Sequence, residues 1–562
     1  MAVTGPGGTG AGRILDYQTD EQLRVLRKLS PPLGTFNQVK KSGIRVGLDM
    51  DFNEQQVALF TWADQETGSC NLIARAGTGK STTIVELAKR LPSNQKIFLG
   101  AFNKSIAEEL KAKITRPNVM ASTMHSLGFQ LWRSIAKGKS EIDAKKVAGI
   151  VKRMNLFPFD TKTRGILISA VEYAQQAGFG LRGLDYTEDA NWTQIFDHYD
   201  LWDELTGSVS PERILKACSE VYDESLTMCQ EKDPIINFNE MVIAPLLFSD
   251  GPQPMYDWVL GDEWQDANFV RRKLMAHVLK PGGRAVFVGD NFQSIYGFAG
   301  AAVDSLDMTK KEFGCIELPL SITYRCPKSV VTLAQTLVPD IQAHESAPEG
   351  VVREIKDAKF WEEDFRETDV ILCRNTRPLI GVAKRLRKMG VPCVVEGANG
   401  KSLIALASRW GEDIQIGQME KHLHEYVGMQ IAKWEAKNRL DKSEGIQERR
   451  DCLLDIASEL EEFDSVKNLV KHIERMFGEQ FGEDTRRILR LCTIHRVKGR
   501  EWDRVFLLGR NLYMPSKWAK KDWEQFQENC LQYVAWTRTK RELVEVVCRA
   551  RKNAETPEWW EL

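Results

Sequence analysis

The stretch LIARAGTGKSTTIVELAKRL, residues 72–91, constrains the chain more than any other. An apolar run (LIA) enters a loop of small residues, ARAGTGKST (74–82), and leaves into an amphipathic helical pattern, TIVELAKRL. Strand, small-residue loop, Lys-Ser and helix together make a phosphate cradle, because loop N–H groups and a helix N-terminus face the same anion. In this reading Ala76, Gly77, Thr78, Gly79 and Thr82 line the cradle, Lys80 reaches the outer phosphates and Ser81 is placed to ligate Mg²⁺. Ala74 stands where the bare pattern GxxxxGK[ST] has its first glycine, so the flanking strand and helix carry the assignment.

Such a cradle belongs in an α/β sheet, and the chain supplies one. Short apolar runs at 97–101 (IFLGA), 258–261 (WVLG) and 285–289 (AVFVG) alternate with helical patterns. Between about 129 and 231 helical spacing dominates, and strand signals return at VILC (370–373), CVV (393–395), VFLL (505–508) and LVEVVC (543–548). Residues 401–485 are again charged and helical, so the reading is two α/β units, each interrupted by a mostly helical block.

At 562 residues the chain is too long for one ordinary core. A net charge of -1 gives no global basic signal, so any nucleic-acid surface must be a local stripe. The 11 cysteines lack CxxC pairs or a zinc-like cadence, which fits a reducing compartment. His422 and His424 have no evident third ligand and read as a solvated helix face. No signal-peptide core and no run of about 18 apolar residues is visible, so a cytoplasmic, membrane-free protein is expected.

Two more segments carry chemistry. GDEWQDAN (261–268) follows the WVLG strand, at the end where open α/β sheets hold ligands. There Asp262 suits Mg²⁺, through its water shell, and Glu263 suits orienting or deprotonating an attacking water. VGDNFQSIYGFAG (288–300) crowds Gln293, Tyr296 and Phe298 into a turn-like stretch. Its rings could simply pack in the core, or the loop could connect two sites.

Taken in order, these segments resemble the motifs of a superfamily 1 helicase of the UvrD/Rep-like type. FNEQQ (52–56) resembles the adenine-reading glutamine motif, ARAGTGKST motif I, AFNKSIAEEL (101–110) motif Ia, TMHSLG (123–128) the next DNA-side motif and INFNEM (236–241) the segment before motif II. DEWQD is then motif II, the Gln293 loop motif III, LSITYRCP (320–327) motif IV, TIHRVKGREWD (493–503) motif V and YVAWTRTKREL (533–543) motif VI.

The resemblance implies two RecA-like P-loop NTPase domains with parallel sheets. An N-terminal extension occupies 1–46, domain 1A takes 47–128 and 232–318 around a helical insertion 1B (129–231), and domain 2A takes 319–400 and 486–562 around a short helical insertion 2B (401–485). It also implies ATP and Mg²⁺ as cofactors, single-stranded DNA and single-strand/duplex junctions as partners, and 3′-to-5′ movement. The setting would be a bacterial or virus-infected cytosol, at the nucleoid when on DNA. Gln56 would read adenine, Tyr324 stack on it and Glu501 bond the ribose or its neighbours. Arg325 and Arg538 would reach the migrating phosphate, with Gln293 facing the γ-phosphate. Phe102, Asn103, His125, Ser126, Tyr296, Phe298, Thr493 and His495 would meet the strand. Two departures stand out: Thr82 where close relatives carry arginine, and Phe298-Ala299 in place of Trp-Arg. An RNA-directed motor, or a DNA-stimulated ATPase scaffold without unwinding, would share most of these motifs.

Overall fold

The computed structural model describes residues 52–548 apart from 102, 159, 182, 200, 203–204, 206–208, 296–304, 397–398, 437–439, 479–487, 517–518 and 520–521. The expected N-terminal extension, Phe102, and the Tyr296, Phe298 and Ala299 of the aromatic loop lie outside the described residues.

Two six-stranded sheets organise the chain, and every pairing within them is parallel. The first runs Val119–Thr123, Ile97–Ala101, Tyr256–Gly261, Leu279–Gly289, Cys70–Ala74, Ile316–Leu320 across its width. The second runs Val351–Lys356, Thr539–Val547, Trp502–Leu508, Asp369–Cys373, Leu489–Thr493, Cys393–Glu396. CNLIA, IFLGA and DVILC are buried at every position. Strands covered on both faces need continuous apolar runs rather than alternation, which is what these sequences supply. Helices between strands close the crossovers that parallel pairing demands.

The two helical blocks pack differently. Helices Lys146–Arg153, Thr161–Ala177, Asp189–His198 and Pro211–Gln230 enclose a core of their own around Leu167, Val171, Trp192, Phe196 and Tyr222. Helices Asn399–Ala407, Ile416–Ala436, Leu440–Ala457 and Val466–Met476 instead share one core with the second sheet, where Leu403, Met419, Leu453 and Ile473 join Ile371, Phe506 and Val544. Val466–Met476 shows why: Ser465 caps it by accepting from the Asn468 N–H, and Val466, Leu469, Val470, Ile473 and Met476 form one buried stripe. Each such side chain contributes about 1.5–3 kcal/mol on burial. Among the described residues no helix is long and apolar enough to cross a membrane.

A buried ion pair joins the first block to the first sheet's helices. Lys146 and Glu240 meet at 2.7 Å with both side chains fully buried. The Lys146 ammonium also donates to the Ser225 carbonyl, while Glu240 accepts from the Ser225 hydroxyl, the Gln175 amide and the Asn237 N–H. Burial of a charge is tolerable only with such complete satisfaction. Close by, helices Met124–Ile135 and Glu240–Phe248 cross at Gly128, where a Cβ would stand 2.1 Å from the Met241 carbonyl oxygen. No larger residue fits that crossing without moving backbone.

Removing one partner of the pair leaves the other charged and dry. Lys146→Met is expected to lower stability by about 3–5 kcal/mol, and adding Glu240→Gln to return part of it. Thermal unfolding of the two variants checks this, and equal melting of Lys146→Met and wild type would contradict it.

Candidate nucleotide site and adjoining nucleic-acid edge

Parallel pairing brings all carboxyl ends of the first sheet to one edge, and the sequence motifs line that edge in spatial order. His125 and Ser126 follow Val119–Thr123, Asn103 follows Ile97–Ala101, Asp262 and Glu263 follow Tyr256–Gly261, Gln293 follows Leu279–Gly289, and the phosphate loop follows Cys70–Ala74. Tyr324 and Arg325 come just after Ile316–Leu320. Motif II therefore stands between the DNA-side candidates and the phosphate loop. In the second sheet Glu501 and Arg538 immediately precede the paired strands Trp502–Leu508 and Thr539–Val547, which puts them at its amino edge.

The loop itself is built on two glycines. Gly77 and Gly79 have φ of 71° and 81°, in the left-handed region that glycine enters without a Cβ clash. A Cβ on Gly77 would also meet the Arg325 Cβ at 2.5 Å, so the segment carrying Thr323 and Arg325 lies directly against the loop. The Tyr324 N–H donates to the Gly77 carbonyl at 2.9 Å, and the Thr78 hydroxyl to the Arg75 carbonyl. The Ala76 N–H is engaged by the Tyr533 hydroxyl at 2.9 Å. Lys80 and Ser81 open the helix Lys80–Arg90, and Thr82 on its first turn is exposed.

Lys80 and Ser81 both meet motif II. The Lys80 ammonium lies 3.3 Å from Glu263, and the Ser81 hydroxyl donates to Asp262 at 3.2 Å. Glu263 has φ 50° and ψ 42°, a left-handed conformation that costs a non-glycine residue about 1–2 kcal/mol. Its carboxylate also accepts from the Gln265 amide at 2.5 Å. Burial opposes ionisation of Glu263, but the ammoniums of Lys80 and Lys498 and the Gln265 amide outweigh it and hold the carboxyl below the usual carboxylate range. Asp262 is pushed up instead, by burial and by the neighbouring Glu263 charge. A buried carboxylate disfavoured in this way, beside a hydroxyl at a helix N-terminus, is an oxygen donor set that fits Mg²⁺.

The candidate nucleoside end is at Asn53, Gln56 and Tyr324. Asn53 and Gln56 form a capping box on Glu54–Gln65, and the Gln56 amide also donates to the Thr83 hydroxyl at 2.8 Å. Each end of that amide thus has one bond within the chain and one valence left for a base. Asn53 donates to the Tyr324 hydroxyl at 2.9 Å, and the half-exposed Tyr324 ring lies 4.6 Å from His344.

The two arginines differ. Arg325 pairs with Glu501 at 2.6 Å, so the residue expected at the ribose holds the arginine beside the phosphate loop. Arg538 is fully buried, donating to the Val534 and Arg500 carbonyls and, at 3.3 Å, to the Gln293 side-chain oxygen. Burial and the nearby Arg325 disfavour its charge, yet a guanidinium stays protonated at neutral pH.

Of the DNA-side candidates, Asn103 caps the helix Lys104–Lys113 and Ser126 bonds the capping hydroxyl of Thr123, so their side chains also serve local structure. His125 borders a polar cavity of about 130 Å³ with Gln175, Gln176, Asn239, Asn268 and Arg271. Burial and Arg271 push its pKa down to about 4. His495, just beyond Thr493 at the carboxyl end of Leu489–Thr493, is pushed down to about 3 by burial and Arg374. In both, burial and a nearby guanidinium disfavour the charged imidazolium.

Several residues of the site escaped the sequence reading. Lys498 donates to Asp266 at 2.6 Å and to the Gln293 carbonyl at 2.7 Å, joining motif V to motifs II and III. Thr83 holds Gln56, and Arg75, Asp290, Asp340 and Tyr533 surround the loop's entry. The charged Arg75 at a strand-to-loop junction was the available signal for that last group.

Comparison with known proteins agrees with this architecture. Residues 52–314 match the UvrD/REP helicase N-terminal domain, and residues 412–550 the UvrD-like helicase C-terminal domain. The F-box DNA helicase protein 1 of Schizosaccharomyces pombe is 26% identical over 503 residues, covering 84% of this chain and 54% of that protein. The ATP-dependent DNA helicase Rep of Escherichia coli is 24% identical over 301 residues, 48% of this chain and 41% of its own length. A probable DNA helicase II homolog of Mycoplasma pneumoniae is 32% identical over 299 residues, 49% of this chain and 40% of its own. The chain thus spans about half, or less, of the length of these relatives. With both domains matched in order around two parallel sheets and one phosphate loop, the chain belongs to the UvrD/Rep-like family of superfamily 1 helicases.

Proposed function

We propose that this protein is an ATP-hydrolysing DNA helicase that uses Mg-ATP to move along single-stranded DNA, 3′ to 5′, and to open duplex at a single-strand/duplex junction. The observation that carries the reading is the convergence on one sheet edge of Lys80, Ser81, Asp262 and Glu263, faced by Arg325 and Arg538 of the second unit. The names of the similar proteins agree with it.

In this mechanism the phosphate loop receives the triphosphate, and Lys80 exchanges its Glu263 partner for the outer phosphate. Glu263, ionised at neutral pH, then orients the attacking water and takes its proton. Ser81 and Asp262 would hold Mg²⁺, which when bound supplies charge neutralisation on the phosphate oxygens. Arg325 and Arg538 stabilise charge on the migrating phosphate only while the units are apposed, so hydrolysis is tied to closure. Gln293, held by Arg538 and Lys498, reports that closure toward the loop that follows it, where Tyr296 and Phe298 would stack on bases. The cytoplasm, bacterial or of a virus-infected cell, is the compartment we assign to this activity.

Single-stranded DNA is expected to raise ATP turnover, and unchanged turnover on its addition would count against the reading. Glu263→Gln should retain ATP while cutting turnover on the order of 10²–10⁴-fold, whereas Lys80→Ala weakens binding or turnover. Nucleotide-binding and steady-state assays separate the two.

Strand displacement on 3′- and 5′-tailed duplexes tests polarity and partner together. The 3′-tailed substrate should be opened, the 5′-tailed one spared, and chelation of Mg²⁺ should stop both turnover and unwinding. Preference for the 5′ tail would overturn the direction, and stimulation by RNA alone would favour the RNA-directed reading.

A further inference from the structure

Arg75 lies between the strand Cys70–Ala74 and the phosphate loop, and its side chain is 7% exposed. Its guanidinium donates through Nε and Nη2 to both oxygens of Asp340, at 2.9 and 2.8 Å, and through Nη1 to Asp290 at 3.1 Å. Asp340 is carried by the second unit: Leu337, Val338 and Ile341 beside it pack in one core with Val370, Leu372 and Val534. Asp290 belongs to the first unit and bonds Gln293 through its other oxygen, at 2.8 Å. Gln293 in turn accepts from Arg538. Asp340, Arg75, Asp290, Gln293 and Arg538 thus form an unbroken chain of polar contacts that starts and ends in the second unit and passes through the first beside the phosphate loop.

Apolar contacts reinforce this path. Phe292 lies under the guanidinium at 5.1 Å and meets Phe526 and Tyr533 at 5.6 and 6.2 Å. Ala76, the next loop residue, donates its N–H to Tyr533. Two consecutive residues at the mouth of the loop are therefore fastened to the second unit, one by a charged fork and one by a hydroxyl.

We propose that Arg75 is a positioning residue that registers the phosphate loop against the second unit through Asp340, so that Arg325 and Arg538 meet the nucleotide in one fixed geometry. The inference rests on the ATPase reading above. Forked, charge-assisted bonds fix direction as well as distance, which a point charge on the same stem does not. A buried pair kept for stability alone is replaceable by apolar packing and need not align catalytic groups elsewhere. At Asp340, which is 38% exposed, an alignment device predicts a loss in turnover without a matching loss in binding or melting temperature, whereas Arg75→Ala also strips the buried Asp290 of its guanidinium and costs stability.

The test uses the full chain with saturating oligothymidylate. Asp340→Ala, in a residue outside the loop and partly exposed, and Arg75→Ala should each lower kcat about 10- to 100-fold. Their KM for ATP should stay within about threefold of wild type. The double variant should be no slower than the worse single one, because both break one link. Arg75→Lys should fall between, since an ammonium cannot span both Asp340 oxygens. Wild-type kcat in Asp340→Ala, losses that multiply in the double variant, or a turnover loss in Asp340→Ala tracked by its melting temperature would overturn the proposal. Hydrogen exchange over residues 72–84 and 526–538 reads the same link without turnover: faster exchange in both segments on Asp340→Ala supports it, and unchanged exchange overturns it. Absence of ATP turnover in the wild type would sink the ATPase reading and leave the exchange result to decide the link.

Discussion

Parallel strand pairing is the constraint on which the rest depends. In an antiparallel sheet neighbouring strands end at opposite edges; here six in succession end at one. Each carboxyl end releases a short loop there, so residues far apart in sequence share a line a few strands wide. Strand spacing of about 4.8 Å then sets how far the candidate nucleotide groups lie from the candidate DNA groups. Motif II, on the strand between them, is the shortest physical route from one to the other.

The same constraint explains why so much of the site was legible in the sequence. A strand followed by small residues and Lys-Ser is a local object, and the Gly77 and Gly79 conformations follow from their own backbones. Adjacent carboxylates after a buried strand are equally local. Partners across the fold were not legible. Nothing near Arg75 in sequence specifies Asp340, 265 residues away, and nothing near Lys498 specifies Asp266, 232 residues away. Glu501 illustrates the difference: its motif pointed to the nucleoside, whereas geometry gives it Arg325 as partner. The helical blocks were visible by periodicity, but periodicity does not say which sheet or helix an apolar stripe meets. Only packing shows that one block has its own core while the other shares that of the second sheet.

Buried charge is unevenly distributed over this architecture. Lys146 and Glu240 are fully satisfied by close partners within helices that support the first sheet. Around the phosphate loop satisfaction is incomplete by design of the geometry: one Asp266 carboxylate oxygen is buried without a hydrogen-bond partner, and Asp262 is held where ionisation is disfavoured. Polar groups left short of partners in a low-dielectric setting interact strongly with whatever charge arrives. In the proposed mechanism a nucleotide with its cation entering beside them would change the electrostatics of that edge, whereas the Lys146 pair already has its charge matched within the fold.

Such a change would have a direct path to the second unit, which is bonded to the loop and not only adjacent to it. Phe292, Phe526 and Tyr533 give apolar adhesion, which is non-directional and tolerates sliding. Hydrogen bonds from Arg75, Ala76, Lys498 and Arg538 add direction, and each links a named group of one unit to a named group of the other. Adhesion without direction would let the units slide; direction without adhesion would cost too much desolvation to persist. Their combination at one seam fixes the register of the two units, and a ligand that bound another register better would have to break these directional bonds to reach it.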